Sequence, residues 1–375
     1  MSNPALVFSS VPSGRFPQPG KDLVVKELPL PDGEGVLVRI QLASLDPFLR
    51  SQLREPSSAW TYQPALPVGE PLCTSAVGTV VRSDAAHVLP LGETVWLARV
   101  PLARYVLLEV SVAANRRLVV PIGRFVKAYS LDAGHWLGVL GVPGLTGFAG
   151  LYECGRPKAG ETIFVSSAAG TVGLTVAYFS KRDGLRVVGS AGSTDKADWL
   201  RRTGLFDDAF VFGRQDSHET GEASLRRAAP EGLDLHFASV GGAQLCAAAA
   251  CMKVHGRIVV CDAIDEYGGG GGGSNNTGGA DDEPGGAAAP EVRWLWQPVV
   301  YKRLTISGFL VTDLAGKYMA SFQQQMHEGI ERDGGLPRIA PLHVAHGLDK
   351  AAEAFGDLFR CGKVMGKLLV QPSDS

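Results

Sequence analysis

Residues 162–173 read TIFVSSAAGTVG, a short β-branched run followed by Ala168, Gly170 and Gly173. This is the spacing of a phosphate-cradling turn. Its middle glycine lets the backbone approach a pyrophosphate, and the free N–H groups of the following helix face the negative charge. Its last glycine permits close packing of helix on strand. Alanine stands where the usual Gly-x-Gly-x-x-Gly pattern has its first glycine. The turn lies between a predicted strand and a predicted helix, the context in which the motif signals nucleotide binding. The second strand indicates which nucleotide. An NAD site places Asp or Glu about 20 residues further on, to hold the ribose diol. Here that strand ends Val188-Gly189-Ser190-Ala191-Gly192-Ser193, and the first carboxylate is Asp195 in the next helix. Lys196 and the more distant Arg214 offer cations for a 2′-phosphate. The pattern favours NADP(H) over NAD(H).

These residues need a scaffold, and the periodicity supplies one. From about residue 135, strands are predicted over Glu161–Ser166, Leu185–Gly189, Asp208–Phe212, Leu233–Val240, Arg257–Cys261 and Leu304–Val311. Helices are predicted between them over Val172–Ser180, Asp195–Thr203, Leu225–Ala229 and Ala243–Val254. Alternation of this kind argues for βαβ units and a parallel sheet. Residues 1 to about 130 read instead as an irregular β domain. Its runs are Val24–Pro31, Gly35–Ala43, Ser75–Val81, Glu93–Ala98 and Tyr105–Val110, punctuated by proline and glycine. The tail holds helix candidates at Lys317–Arg332 and Leu348–Phe359, and Gly366–Gln371 reads as a strand returning to the first domain. Residues 268–290 form a glycine-rich, low-complexity insertion that cannot bury a core. It is read either as a tolerated surface loop or as a lid.

Composition narrows the partners. The 375 residues fit about two domains. Lys plus Arg is 36 and Asp plus Glu is 38, a balance that argues against nucleic acid. No apolar run reaches the roughly 18 residues of a membrane span, and no signal-peptide pattern opens the chain. A soluble cytoplasmic protein is expected. The six cysteines include no CxxC pair and are read as buried free thiols. His343 and His346 stand three apart without a third ligand, so no metal is expected.

Further stretches match one known group in order along nearly the whole chain. They are Ala43-Ser44-Leu45-Asp46-Pro47-Phe48-Leu49-Arg50, Gly141-Val142-Pro143-Gly144-Leu145-Thr146, Phe164 to Gly173, Val188 to Ser193 with Lys196, and Val240-Gly241-Gly242. Gly256-Arg257-Ile258 with Cys261 to Tyr267, Gly308-Phe309-Leu310-Val311 and Gly366-Lys367 complete the set. With these residues the chain resembles the zinc-independent medium-chain dehydrogenase/reductases. Within them it is similar to the group of prostaglandin reductases, leukotriene B4 12-hydroxydehydrogenase, NADPH-dependent alkenal double-bond reductases and curcumin reductase.

The resemblance implies an α/β fold: a GroES-like β-rich catalytic domain (1–130 and 331–375) and a Rossmann doubly wound parallel sheet for NADP(H) (131–330). It implies hydride transfer from NADPH to the β-carbon of an α,β-unsaturated ketone or aldehyde. Cofactor contacts then fall on Gly170, Thr171, Val172, Gly173, Gly192, Lys196, Phe212, Ser239, Cys261, Tyr267, Phe309, Leu310 and Val311. Substrate contacts fall on Phe48 and Arg50. Tyr267 is the implied catalytic group, because the enolate left by hydride addition needs a hydrogen-bond donor and a proton. The strand around Ile306 to Leu310 resembles the edge through which members of the group form homodimers. Several positions depart from the group: Phe48 and Phe212 stand where Tyr is usual, Ser239 and Val364 where Asn is usual, and Gly268 follows Tyr267 in place of Asn. The alternatives are an NADPH quinone oxidoreductase on the same fold, and a low-activity nucleotide-binding sensor or scaffold.

Overall fold

The computed structural model describes residues 2–13, 16–56, 62–212, 220–266, 295–360 and 363–372. Tyr267, Gly268, Arg214, Cys361 and the 268–290 insertion lie outside the described residues. The chain divides into two units, Met1–Gly141 with Pro341–Ser375 and Val142–Ala340. These divisions fall later than the expected 130 and 331. Helix Val142–Gly150 packs within the second unit, where Phe148 meets Phe179 at 4.8 Å and Phe322 at 5.5 Å between ring centroids. The long helix Val311–Asp333, which carries Phe322, also belongs there.

In chain order the first unit begins with β1 (Asn3–Phe8), β2 (Leu23–Leu28), β3 (Val36–Ser44), β4 (Cys73–Ser83), β5 (Thr94–Pro101), β6 (Tyr105–Leu108) and β7 (Val119–Pro121). The second unit contributes β8 (Thr162–Val165), β9 (Arg186–Ala191), β10 (Asp208–Val211), β11 (Leu233–Ala238), β12 (Met252–Val260) and β13 (Thr305–Gly308). The chain then returns to the first unit with β14 (Leu342–His346) and β15 (Lys367–Gln371).

The first unit is β-rich. Its larger sheet runs β14-β15-β3-β4-β5-β7, with β6 also paired to β3. The C-terminal strand β15 lies antiparallel to β3, with Leu369 opposite Ser44, so both ends of the chain build this sheet. Val77, Trp96, Ile122, Leu137 and Leu369 form one of its apolar clusters. The second unit is one parallel sheet in the order β10-β9-β8-β11-β12-β13. All four residues of β8 are buried, as expected of a strand covered on both faces. Its core gathers Phe164, Val188, Phe210, Leu225, Leu233, Ala248 and Ile258 from strands and helices. Among the described residues no helix is long and apolar enough to cross a membrane.

Two boundaries differ from the sequence reading for identifiable reasons. The expected strand Leu304–Val311 ends at Gly308, because Leu310 instead caps the helix that starts at Val311. That helix runs 23 residues to Asp333 and stops at Gly334, whose φ of +85° is the left-handed conformation that glycine adopts freely.

Candidate functional site

The parallel sheet has a reversal in its strand order. From β8 the chain moves outward to β9 and β10, then returns to lay β11 on the other side of β8 and continues to β12 and β13. The carboxyl ends of β8 and β11 therefore flank the crevice where ligands bind in doubly wound sheets. Two polar residues tie these ends together. Ser166 is 1% exposed; its Oγ accepts the Ser239 N–H at 2.8 Å and donates to the Phe237 carbonyl at 3.3 Å.

The turn after β8 is shaped by a residue in an uncommon conformation. Ser167 has a φ of +51° and its carbonyl accepts the Gly170 N–H at 3.0 Å. A non-glycine residue held there marks a turn fixed by its surroundings. Gly173 has no room for a side chain: a Cβ would lie 2.8 Å from the Ala168 Cα and carbonyl oxygen. This is the close helix–strand approach expected of the third motif position. Gly170 is different, since a Cβ there would meet only Ser167, at 3.4 Å. Gly170 is the N-cap of helix Thr171–Arg182, and no side chain caps that helix. The first N–H groups of a helix have no partner within it. Those of Thr171, Val172 and Gly173 are therefore left without a capping side chain, and such a helix start suits an anion.

The helix after β11, Gly242–Cys251, also starts without a side-chain cap, at Gly241 with φ +83°. Its first turn is pinned to β9 by Gln244, whose Oε1 accepts the Ser190 Oγ–H at 2.8 Å. The segment after β12 then folds back over the end of β11. Cys261 N–H reaches the Ala238 carbonyl at 2.9 Å, Ile264 N–H the Ser239 carbonyl at 3.2 Å, and Asp265 N–H the Val240 carbonyl at 3.1 Å. Tyr267 follows two residues later. Burial, reinforced by the neighbouring Asp262 charge, pushes the Cys261 thiol well above its usual pKa despite a hydrogen bond with Ser239. The shift favours the thiol over the thiolate, the reactive form.

The remaining candidates occupy distinct places. Gly192 is exposed just beyond β9, and Lys196 is half-buried in the first turn of helix Thr194–Arg202. Phe212 packs against the core, with its ring 2.5 Å from where a Gly221 Cβ would stand. Phe309 fills the space left by Gly150, whose Cβ would lie 2.4 Å from its ring, and it meets Phe237 edge to face at 6.4 Å. Leu310 and Val311 form the start of the long helix. Phe48 and Arg50 belong to the first unit. Phe48 is half-buried at the N-cap of helix Leu49–Gln52. Arg50 is 7% exposed and donates from Nη1 to the Leu53 carbonyl at 3.0 Å. Burial lowers its guanidinium pKa, opposed by the Asp22 charge.

Sequence reasoning did not single out Ser166 or Gln244. The signal for Ser166 was present, as a polar residue closing an apolar strand. Gln244 carried none, because its partner Ser190 lies 54 positions away. Among the described residues no group of three or more His, Cys, Asp and Glu is arranged to hold a metal ion.

An open phosphate turn at the reversal point of a doubly wound sheet defines a nucleotide-binding Rossmann unit, here within a two-unit α/β chain. Residues 5–111 match the family described as the N-terminal domain of oxidoreductase. The chain is 33% identical to the NADP-dependent oxidoreductase RED1 of Cochliobolus heterostrophus, over 99% of this chain and 98% of that protein. It is 31% identical to the NADP(+)-dependent 2-alkenal reductase of Nicotiana tabacum, over 94% and 92% of the two chains. The crystal structure of CurA in complex with NADPH from Vibrio vulnificus matches with a TM-score of 0.80 and 26% identity, covering 99% of this chain and 100% of that one. The chain belongs to the zinc-independent medium-chain dehydrogenase/reductases, in the group with enone-reductase members.

Proposed function

We propose that this protein, an NADPH-dependent oxidoreductase, reduces the carbon–carbon double bond of an α,β-unsaturated ketone or aldehyde. The observation that carries the cofactor assignment is the uncapped start of helix Thr171–Arg182 beside Gly170, at the sheet's reversal point. It offers backbone donors to a pyrophosphate. The substrate class is supported by the 2-alkenal reductase relative, which matches over nearly the full length of both chains.

When bound, NADPH supplies the hydride that goes to the substrate's β-carbon. The chain's own residues do the rest. Gly170, Thr171, Val172 and Gly173 hold the pyrophosphate through the backbone. Gly192 and Lys196 border the 2′-phosphate, and Phe212 stands where the group usually has a hydrogen-bonding tyrosine. Ser239, Cys261, Phe309, Leu310 and Val311 shape the nicotinamide end. Tyr267 hydrogen-bonds the developing enolate oxygen and delivers a proton, a role open to a phenol. Phe48 and Arg50 belong to a substrate-facing segment of the first unit, which acts as the catalytic domain. Arg50 serves there by fixing the backbone at Leu53.

A homodimer is part of the same reading. Strand β13 is an edge of the parallel sheet, and Ile306 on it is 37% exposed. Val300 and Tyr301, on the helix that precedes it, are 65% and 71% exposed. An open edge with apolar neighbours is suited to pairing with a second copy. Ile306→Lys should convert a dimer to a monomer in sedimentation equilibrium, and an unchanged mass would remove β13 from the interface.

The function is tested by following NADPH oxidation with a 2-alkenal, a benzylidene ketone and a naphthoquinone in parallel, with product analysis. Saturated aldehyde or ketone is expected. Turnover of the quinone alone would replace the reading with quinone reduction. NADPH binding without turnover would replace it with a sensor. Tyr267→Phe should lower kcat about 100-fold, far more than it changes NADPH affinity.

A further inference from the structure

A largely buried ion pair in the first unit, its side chains 5% and 18% exposed, has no part in the scheme above. Lys367 opens β15 and is 4% exposed. Its Nζ pairs with Asp46 Oδ1 and lies 3.4 Å from the Leu45 carbonyl oxygen. The other carboxylate oxygen of Asp46 accepts the Ser44 Oγ–H. The Ser44 carbonyl in turn accepts the Oγ1–H of Thr74, a buried residue of β4. The lysine end is held firmly. Gly366 has a φ of +67°, a Cβ there would stand 2.1 Å from the Pro341 carbonyl oxygen, and the Lys367 N–H donates to that oxygen at 3.0 Å.

The aspartate end leads directly into the segment that carries Phe48. The Asp46 carbonyl accepts the Leu49 N–H at 3.1 Å, starting the short helix. The Phe48 carbonyl accepts the Ser51 N–H at 3.0 Å and the Ser51 hydroxyl at 2.7 Å. Asp46 is thus a pivot: its side chain is fixed by a residue 321 positions away, and its main chain sets the direction of the turn. A buried ion pair stabilises little compared with an apolar pair of the same shape; here its contacts with the Leu45 carbonyl and the Ser44 hydroxyl hold one geometry. The chemistry that could use that geometry lies two residues further on.

We propose that Lys367 and Asp46 are positioning residues that hold the Asp46–Leu53 turn, and with it Phe48, in the orientation that receives the enone. This rests on the reading of Phe48 as substrate-facing. It assigns the pair an effect on substrate binding and none on the cofactor.

The test uses the nearly isosteric double variant D46N/K367M in the full chain, which leaves neither charge buried alone and keeps an acceptor for Ser44. S44A is the milder companion, and K367R retains the charge. Three readouts are compared with wild type: the thermal midpoint, hydrogen exchange of the peptide spanning residues 45–53, and the split between KM for a 2-alkenal and Kd for NADPH. The double variant should melt near wild type, exchange faster only in that peptide, and raise the alkenal KM about tenfold at unchanged NADPH Kd. K367R should recover most of the loss. A folded double variant with wild-type exchange in that peptide would overturn the proposal, because the pair would then be structural only. So would faster exchange accompanied by an unchanged alkenal KM. Should the wild type reduce no enone, the substrate reading fails, and the proposed orientation toward an enone fails with it. The exchange readout would then still show separately whether the pair orders the turn.

Discussion

Helix Thr171–Arg182 begins at Gly170 with no side chain to cap it, whereas helix Thr194–Arg202, one strand away, begins at Ser193, whose Oγ accepts the Lys196 N–H at 3.4 Å. The contrast extends across the parallel sheet. Helix Gly221–Ala228 is capped by Thr220 Oγ1 at the Ala223 N–H, 3.2 Å away, while helix Gly242–Cys251 is uncapped at Gly241. The open starts follow β8 and β11, the two central strands, and the closed starts follow β9 and β10 on one flank. A side-chain cap contributes about 1 kcal/mol to a helix. The sequence forgoes that contribution at the two helices flanking the crevice, where a ligand's phosphates would occupy the same donors. Helices Trp296–Lys302 and Val311–Asp333, on the β12–β13 side, also start without a cap, so an open start marks a ligand site only where it stands at the sheet's reversal point.

Gly170 is where an open start can be converted into a capped one. Its φ of −83° and ψ of 165° suit any residue, and the space beside it is open. Gly170→Asp should cap its own helix and raise the thermal midpoint by a few degrees, while its carboxylate excludes the pyrophosphate. NADPH affinity should fall about a thousandfold, or about 4 kcal/mol, in a fluorescence titration. Unchanged affinity would show that the uncapped start has no role.

The two central strands also carry a pH-sensitive group. His236 on β11 is fully buried, its Nδ1 lies 3.1 Å from the Phe164 carbonyl oxygen on β8, and its ring stacks on Phe164 at 4.8 Å. Burial lowers its pKa from 6.5 to about 4, against the opposing pull of that carbonyl. The unfolded chain therefore binds the proton first as pH falls. The contribution of neutral His236 is complete above about pH 6.5 and is lost progressively down to pH 4, by about 3 kcal/mol. Urea denaturation at pH 7.5 and 4.5 should show this loss in wild type, and His236→Asn should lack most of it.

On the capped flank, Lys196→Ala should weaken NADPH about tenfold while leaving NADH unchanged, as measured by KM for each cofactor. An equal loss for both would move the 2′-phosphate elsewhere. The smallest expected effect is that of Ser193→Ala, which removes a cap and should cost about 1 kcal/mol of stability.

How much of this the sequence disclosed follows from how local each signal is. The alternation of strands and helices from β8 to β12 was readable because each element is short, apolar and bounded by glycine or polar turns. The phosphate turn was readable because Gly170 and Gly173 serve contacts within a few residues of themselves. Helix Val142–Gly150 was missed. Its Val-Pro-Gly start and three glycines mask a helical pattern, yet Gly147 is needed where a Cβ would lie 2.9 Å from the Val172 carbonyl oxygen. Strand β1 was missed because its buried Ala5-Leu6-Val7-Phe8 run shows no alternation. Phe212 shows a third kind of limit. Its departure from tyrosine was plain, but only the fold reveals that the ring packs into the core beside Gly221. The tie between Asp46 and Lys367 spans the two ends of the chain, and no local pattern could announce it.

The most direct measurement is the fate of a label from NADPH deuterated at C4, with an enone as acceptor and the product read by NMR. Double-bond reduction places the deuterium on the β-carbon of a saturated ketone or aldehyde. Deuterium on the former carbonyl carbon of an allylic alcohol would contradict it.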